Sequence, residues 1–138
     1  MHKPSLDIAD AEARLSAQGS LLTPQRRAIL GLLAQPLDHP TASDVLEALN
    51  EVQPGTSRAT VYNTLSLFSQ VGLLQEVMGP HGQVRYDLNT SPHHHFTCRS
   101  CGRLVDVAPE HVAVKVCGNL EDRVDQAVVL LHGVCEDC

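Results

Sequence analysis

The chain has 138 residues, of which 43% are hydrophobic and only 3% are aromatic, and its formal net charge is −6. It contains no run of about 18 apolar residues, which excludes a transmembrane helix and favours a soluble, cytoplasmic protein with no membrane partner. Because neither half of the chain is basic, nonspecific nucleic-acid binding through phosphate neutralisation is disfavoured, which leaves room only for a small, localised basic face.

Helical periodicity predicts a short first helix. It would run from Leu6 to Ala17 with Ala9 and Ala13 on its inner face, and Gly19 would end it. This helix is expected to be partly exposed.

Two further helices have recognisable ends. Thr23 is placed to cap the second helix, with Pro24 at its first position and Pro36 at its end. Thr41, followed three residues later by Asp44, has the spacing of a capping box and predicts the start of the third helix.

A fourth helix is predicted from Ser57, its N-cap, to Gly72. Its buried face would consist of Val61, Leu65, Phe68 and Val71. Its first turns would expose a polar set: Arg58, Thr60, Tyr62, Asn63 and Thr64.

Two short strands follow, Leu73–Met78 and Val84–Leu88, joined by the turn Gly79–Gly82. Helices followed by a hairpin are the order of a winged helix. The predicted fold class is therefore α+β, with a winged-helix DNA-binding domain over residues 1–88.

Residues 89–92 are polar, contain a proline and are predicted to form a hinge. Residues 93–138 would form a small α/β dimerisation domain with strands at Phe96–Cys98, Arg103–Val107 and Ala127–Leu131, and a helix that starts after Pro109 and ends near Leu120. A domain of roughly 46 residues is too small to be stabilised by its apolar core alone and needs a cross-link, here called a staple.

Four cysteines in two C-x2-C pairs predict that staple, a structural Zn(II) site formed by Cys98, Cys101, Cys135 and Cys138. Free thiols or disulfides are the competing interpretations. A catalytic zinc is disfavoured, because four thiolates leave no open position for water. Cys117 lies outside both pairs and is interpreted as a buried small hydrophobe on the predicted helix.

Histidines precede the first cysteine pair. On a strand, His93 and His95 would point to one face and His94 to the other. Oxygen ligands could come from Asp87 and Asp106, and a remote imidazole from His39. Such a shell suits Fe(II), Mn(II) or Zn(II). The competing interpretation is a polar hinge surface.

The order and spacing of five segments resemble the ferric uptake regulator family from about Leu15 to Cys138. These segments are Leu22–Ile29, His39–Ala42, Ala59–Leu65, Arg85–Asp87 and His93–Cys98. The resemblance implies a homodimeric repressor that binds double-stranded DNA at an AT-rich palindrome when a corepressor metal is bound.

By position, the resemblance also implies roles for particular residues. The regulatory ligands for Fe(II) or Mn(II) would be His39, Asp87, His93, His95 and Asp106. Contacts to bases or phosphates would come from the exposed start of the fourth helix, with Arg58, Thr60, Tyr62 and Asn63, and Arg26 and Arg27 would contact the DNA backbone.

Aspartate at both carboxylate positions, 87 and 106, resembles the peroxide-sensing branch of the family. There, peroxide oxidises ligand histidines, by position His39 and His93, which relieves repression. The alternative within the family is iron or manganese homeostasis without peroxide sensing. An enzyme with a catalytic metal is disfavoured because the sequence contains no nucleophile motif. A zinc-binding protein-interaction module that binds no DNA is disfavoured because the fourth helix exposes a polar face.

Overall fold

The computed structural model describes residues 7–34 and 39–138. The chain divides into two compact units. The first contains the described residues up to Met78 together with Gln83–Thr90, and the second contains Ser91–Cys138 together with Gly79–Gly82. The predicted hinge, residues 89–92, spans this division.

Over its described residues, the first unit consists of four helices and an antiparallel hairpin, which is a winged helix and confirms the predicted fold class. The elements are α1 (Ile8–Ala17), α2 (Pro24–Ala34), α3 (Ala42–Val52), α4 (Arg58–Gln70), β1 (Gln75–Met78) and β2 (Val84–Asp87). Leu6 and Pro36, the predicted limits of the first two helices, lie outside the described residues.

The predicted helix starts are confirmed by their caps. The Thr23 hydroxyl accepts from the N–H of Arg26 at 3.2 Å, and Thr41 and Asp44 form a reciprocal capping box. The Ser57 hydroxyl accepts from the N–H of Thr60. Each cap satisfies a backbone donor that the helix itself leaves unpaired.

The core of the first unit is aliphatic, with Phe68 as its largest fully buried side chain. α2, α3 and α4 supply most of it through Ile29, Leu30, Leu33, Val45, Leu49, Val61 and Leu65. α3 and α4 both pack their inner faces here, so their outer faces are left for other contacts.

The predicted inner face of α1 is wrong in phase, and one residue of the predicted exposed face of α4 is buried. α1 buries Ala11 and Leu15 instead of Ala9 and Ala13, because burying the larger leucine removes more apolar surface from water. Thr64 was expected on the exposed face of α4 but is only 4% exposed. Position 64 lies one turn from Val61 and beside Leu65, so it faces the core.

The second unit is a three-stranded sheet with the order β4–β3–β5. The strands are β3 (His94–Cys98), β4 (Leu104–Val107) and β5 (Leu130–Gly133). β3 is central, antiparallel to β4 and parallel to β5. β5 lies further along the chain than the predicted Ala127–Leu131, because its pairing with β3 continues to Gly133 opposite Cys98.

The helix predicted between Pro109 and Leu120 is wrong. The structure has only two 3-10 turns there, Pro109–His111 and Gly118–Leu120. Val112, Val114 and Val116 are β-branched and alternate, which disfavours a helix, and most side chains of the segment are exposed and give it no packing partner.

Cys117 is correspondingly not a buried helical residue. It is exposed and precedes the second 3-10 turn. Over the two described ranges, no helix is long and apolar enough to cross a membrane.

Candidate metal centres and nucleic-acid interface

The four predicted cysteine ligands come together at one end of the second unit. Cys98 ends β3, Cys101 follows in the adjoining turn, and Cys135 and Cys138 follow β5. The parallel pairing of β5 with β3 delivers the two pairs to the same place, and Arg99 N–H donates to the Gly133 carbonyl at 2.8 Å to hold them there.

The sulfur spacing fits a tetrahedral ion. Sγ···Sγ distances are 3.8 Å for Cys98–Cys138, 3.7 Å for Cys101–Cys135 and 3.4 Å for Cys135–Cys138. With Zn–S bonds of about 2.3 Å, two ligand sulfurs lie roughly 3.8 Å apart. All five cysteines of the chain are free thiols, so the disulfide interpretation is not supported.

The electrostatics of this cluster favour a bound cation. The backbone N–H groups of Cys135 and Cys101 donate to the Cys98 sulfur, at 3.3 and 3.5 Å, and lower the pKa of that thiol to about 6. In contrast, the neighbouring sulfurs, that of Cys135 foremost, raise the pKa of the Cys138 thiol to about 12. Four thiolates cannot share this space unless a positive ion neutralises them.

The predicted ligands His39 and Asp87 form a pair in the first unit. His39 Nε2 lies 3.3 Å from Asp87 Oδ2, and both side chains are buried. The other carboxylate oxygen of Asp87 accepts from the N–H of Asn89 at 2.9 Å. That bond orients the carboxylate, which presents its remaining oxygen to the imidazole.

The second unit holds the other three predicted regulatory ligands, His93, His95 and Asp106. Asp106 Oδ1 lies 3.3 Å from His93 Nε2 and 3.5 Å from His95 Nε2. His95 is opposite Asp106 in the β3–β4 pairing, and the His93 and His95 rings meet edge to face with centroids 4.5 Å apart. Two imidazoles and one carboxylate therefore converge on one face of β3.

His93, a member of this group, and its neighbour His94 are held by different contacts. His93 Nδ1 contacts the Ser91 carbonyl at 2.7 Å, which favours a proton on that nitrogen and leaves Nε2 for a metal. His94 points to the other face, as the strand alternation predicted, and its Nδ1 accepts from the N–H of Val129 at 2.9 Å. This bond from Val129 holds the backbone directly before β5.

The polar start of α4 is presented largely as predicted. Arg58, Tyr62 and Asn63 are exposed, Thr60 is half-buried with its hydroxyl 2.8 Å from that of the capping Ser57, and Thr64 is excluded by burial. No acidic residue occurs in the first turn of α4.

Between α2 and α4 lies a polar depression of about 300 Å³. Its lining contains no acidic side chain and consists of Thr23, Gln25, Arg26, Thr60, Asn63 and Thr64. Arg26 donates to the Leu21 carbonyl at 2.6 Å, which holds its guanidinium near this depression, whereas Arg27 is exposed and pairs with Glu12 at 2.9 Å. Three of these lining residues, Arg26, Thr60 and Asn63, were expected to contact DNA, but the sequence did not show that α2 and α4 form one polar surface.

Together, the fold and these groups define a winged-helix protein whose second unit brings four cysteines close enough together to bind a metal ion. The profile of the Ferric uptake regulator family matches residues 17–127, and the chain belongs to that family. Proteins of this family are transcriptional regulators rather than enzymes.

The chain is 36% identical to the Peroxide operon regulator of Bacillus subtilis, over 96% of the chain and 93% of that protein. It is 33% identical to the Peroxide-responsive repressor PerR of Staphylococcus aureus, over 96% of the chain and 91% of the relative.

Solved structures share the fold. The ferric uptake regulator Fur of Helicobacter pylori has a TM-score of 0.77 at 16% identity and covers 100% of this chain and 97% of its own. The Campylobacter jejuni peroxide stress regulator has a TM-score of 0.66 at 23% identity and covers 96% of this chain and 100% of its own.

Proposed function

We propose that this chain is a metal-dependent transcriptional repressor that responds to peroxide and binds an AT-rich palindromic DNA site as a cytoplasmic homodimer. The observation that carries the proposal is the separation of donor types. Four sulfurs gather in the second unit, and histidine–aspartate groups of nitrogen and oxygen donors lie in both units.

The two donor types suit different metals. Four thiolates favour structural Zn(II), held by Cys98, Cys101, Cys135 and Cys138. Imidazole and carboxylate donors suit Fe(II) or Mn(II), and we assign this regulatory ion to a single ligand set: His39, Asp87, His93, His95 and Asp106.

A shared ligand set provides a switch. Since the ligands belong to two units, an ion would favour the arrangement of the chain that offers all of them, and would shift the population toward it. We propose that this arrangement is the one that binds DNA, through Arg58, Thr60, Tyr62 and Asn63 at the start of α4, with Arg26 and Arg27 on the backbone phosphates.

Dimerisation is supported by the surface of the second unit. Several large apolar side chains there are at least 40% exposed, and they are Val105, Val114, Leu120, Val124, Val128 and Val134. An apolar surface of this kind is suited to association with a second copy.

Peroxide sensing would use the same ligands. Bound Fe(II) would activate peroxide, which is reduced to water as one of its oxygen atoms is added to the ring of His39 or His93. An oxidised ring is a poorer ligand, so the metal-bound state would be lost and repression relieved. The two relatives reported above, both named as peroxide regulators, support this branch of the family.

The test loads zinc-containing protein with Fe(II) or Mn(II), adds peroxide, and measures retention of a palindromic duplex and added oxygen by peptide mass spectrometry. We expect both metals to support DNA binding. Only the Fe(II) form should lose it, together with oxygen addition on His39 or His93. A Fe(II) form that keeps its DNA and unmodified histidines would contradict peroxide sensing.

Iron or manganese homeostasis is the second candidate. The same donors accept Mn(II), and a solved zinc-bound manganese uptake regulator matches the fold with a TM-score of 0.66 at 25% identity. This candidate predicts metal-dependent DNA binding that peroxide leaves unchanged.

A further inference from the structure

The backbone of His39 is held in an unusual conformation. Its φ is +46°, and among residues 7–34 and 39–138 it is the one non-glycine residue with a positive φ. L-residues reach this left-handed region at a cost in free energy, and they remain there only when the surrounding structure holds them.

The hairpin strand β2 holds the loop that carries His39. Arg85 Nη1 donates to the His39 carbonyl at 3.1 Å, and the Tyr86 N–H donates to the Pro40 carbonyl at 2.9 Å. Two consecutive residues of β2 thereby bond the carbonyls of two consecutive loop residues. The loop has little freedom to rotate about either.

The position of Arg85 is costly for its own side chain. The Nε donor of Arg85 is buried and has no hydrogen-bond partner. An unsatisfied buried donor destabilises the fold. The hydrogen bond from its guanidinium to the His39 carbonyl offsets part of that cost.

The same strand also carries and orients Asp87, the carboxylate partner of His39. Asp87 lies two residues after Arg85, so both side chains leave β2 on one face. Asp87 Oδ1 accepts from the Asn89 N–H, and Oδ2 faces His39 Nε2 at 3.3 Å. β2 therefore orients both members of the pair, one through the backbone of His39 and the other directly.

We propose that Arg85 is a positioning residue for the regulatory metal, acting through the backbone of His39. The inference rests on the proposed function in taking His39 and Asp87 as metal ligands. Arg85 itself contacts no ion. Its bond holds the His39 backbone in the conformation that points Nε2 at Asp87.

The test measures Mn(II) affinity by electron paramagnetic resonance of the full-length, zinc-loaded protein. Arg85→Met keeps the apolar stem and removes the donors. We expect its affinity for Mn(II) to fall by about 10- to 100-fold, the range found for loss of partners that orient a ligand. Arg85→Lys keeps a charged donor and should recover part of the loss. If Arg85→Met binds Mn(II) as tightly as the wild type, the proposal is wrong.

Arg14→Met is the matched structural control. Arg14 makes the same kind of bond in the same unit, to the Gly72 carbonyl at 3.0 Å, but does not touch His39 or its loop. Its removal should lower stability and leave Mn(II) affinity within about twofold of the wild type. An equal loss of affinity in both variants would reduce Arg85 to a general structural role.

A double-mutant cycle separates this proposal from the assignment of the ligands. In a His39→Ala background, Arg85→Met should cost almost no further affinity, because its route to the metal is gone. Additive losses would overturn the positioning role.

If His39→Ala alone binds Mn(II) normally, the ligand assignment fails instead. The effect of Arg85 on the His39 side chain is then tested without Mn(II), by the His39 ring signals in the nuclear magnetic resonance spectrum. They should shift in Arg85→Met but not in Arg14→Met, and unshifted signals would contradict the proposal.

Discussion

Single residues decide how donors are presented at the candidate metal centres. Asp106 serves two imidazoles through one oxygen, at 3.3 Å from His93 and 3.5 Å from His95. At the sulfur cluster, two backbone N–H groups stabilise the thiolate of Cys98 before any metal is considered. In both cases the donor atom is oriented by a neighbour in the same unit, which is the usual requirement of a selective site.

Asp106→Asn should therefore impair regulatory metal binding without disturbing the zinc. The amide has nearly the same shape but lacks the negative charge, and a neutral oxygen is a weaker ligand for a divalent ion than a carboxylate is. We expect Mn(II) affinity to fall by at least about tenfold, with zinc content unchanged by elemental analysis. Asp125→Asn, at an exposed position of the same unit, is the control. Retained Mn(II) affinity in Asp106→Asn would remove Asp106 from the ligand set.

At the scale of elements, the cap at the start of α3 stabilises the helix and also lies next to the loop that carries His39. The capping box joins the Thr41 N–H to Asp44 Oδ2 at 2.9 Å and the Asp44 N–H to the Thr41 hydroxyl at 3.1 Å. This cap follows His39 and Pro40 directly along the chain. The same two bonds thus begin a helix and fix the chain immediately after the two loop residues that β2 holds.

Thr41→Ala should lower the free energy of unfolding by about 1 kcal/mol, because the Asp44 N–H loses its acceptor. Urea denaturation followed by circular dichroism measures the change. Ser43→Ala, exposed in the first turn of the same helix, should change stability by less than about 0.5 kcal/mol. If Thr41→Ala were no less stable than Ser43→Ala, the cap would not stabilise α3 in solution.

At the scale of the whole molecule, the two units are stabilised differently. The first has an aliphatic core shared by its helices and hairpin. The second is a three-stranded sheet with a long, largely exposed stretch between β4 and β5, and its cysteines bring the end of β3 close to the residues after β5. A unit this small needs such a link for independent stability.

Cys98→Ser should therefore abolish zinc binding, unfold the second unit and dissociate the dimer, whereas Cys117→Ser should change none of these. Zinc content, sedimentation and near-ultraviolet circular dichroism report the three properties. The fold of the first unit should persist, because no cysteine contributes to its core. A stable, zinc-free dimer of Cys98→Ser would show that the cluster is not the staple.

Local chemistry allowed the sequence by itself to determine the winged helix, the helix caps at Thr23, Thr41 and Ser57, and the pairing of two C-x2-C motifs. Caps and metal knuckles depend on residues three positions apart, which periodicity and spacing reveal directly. The His/Asp ligand set was proposed from the same evidence and from family resemblance, and it stays a prediction.

Tertiary structure decided what depends on distant partners. The valine-rich segment after Pro109 forms no helix, β5 is displaced toward Gly133 by its pairing with β3, and Thr64 turns inward beside Leu65. Nor did local pattern indicate that Arg85 would hold the His39 carbonyl, since the two residues lie 46 positions apart in the chain. Such contacts are selected by packing and by the need to satisfy buried polar groups, which no local pattern contains.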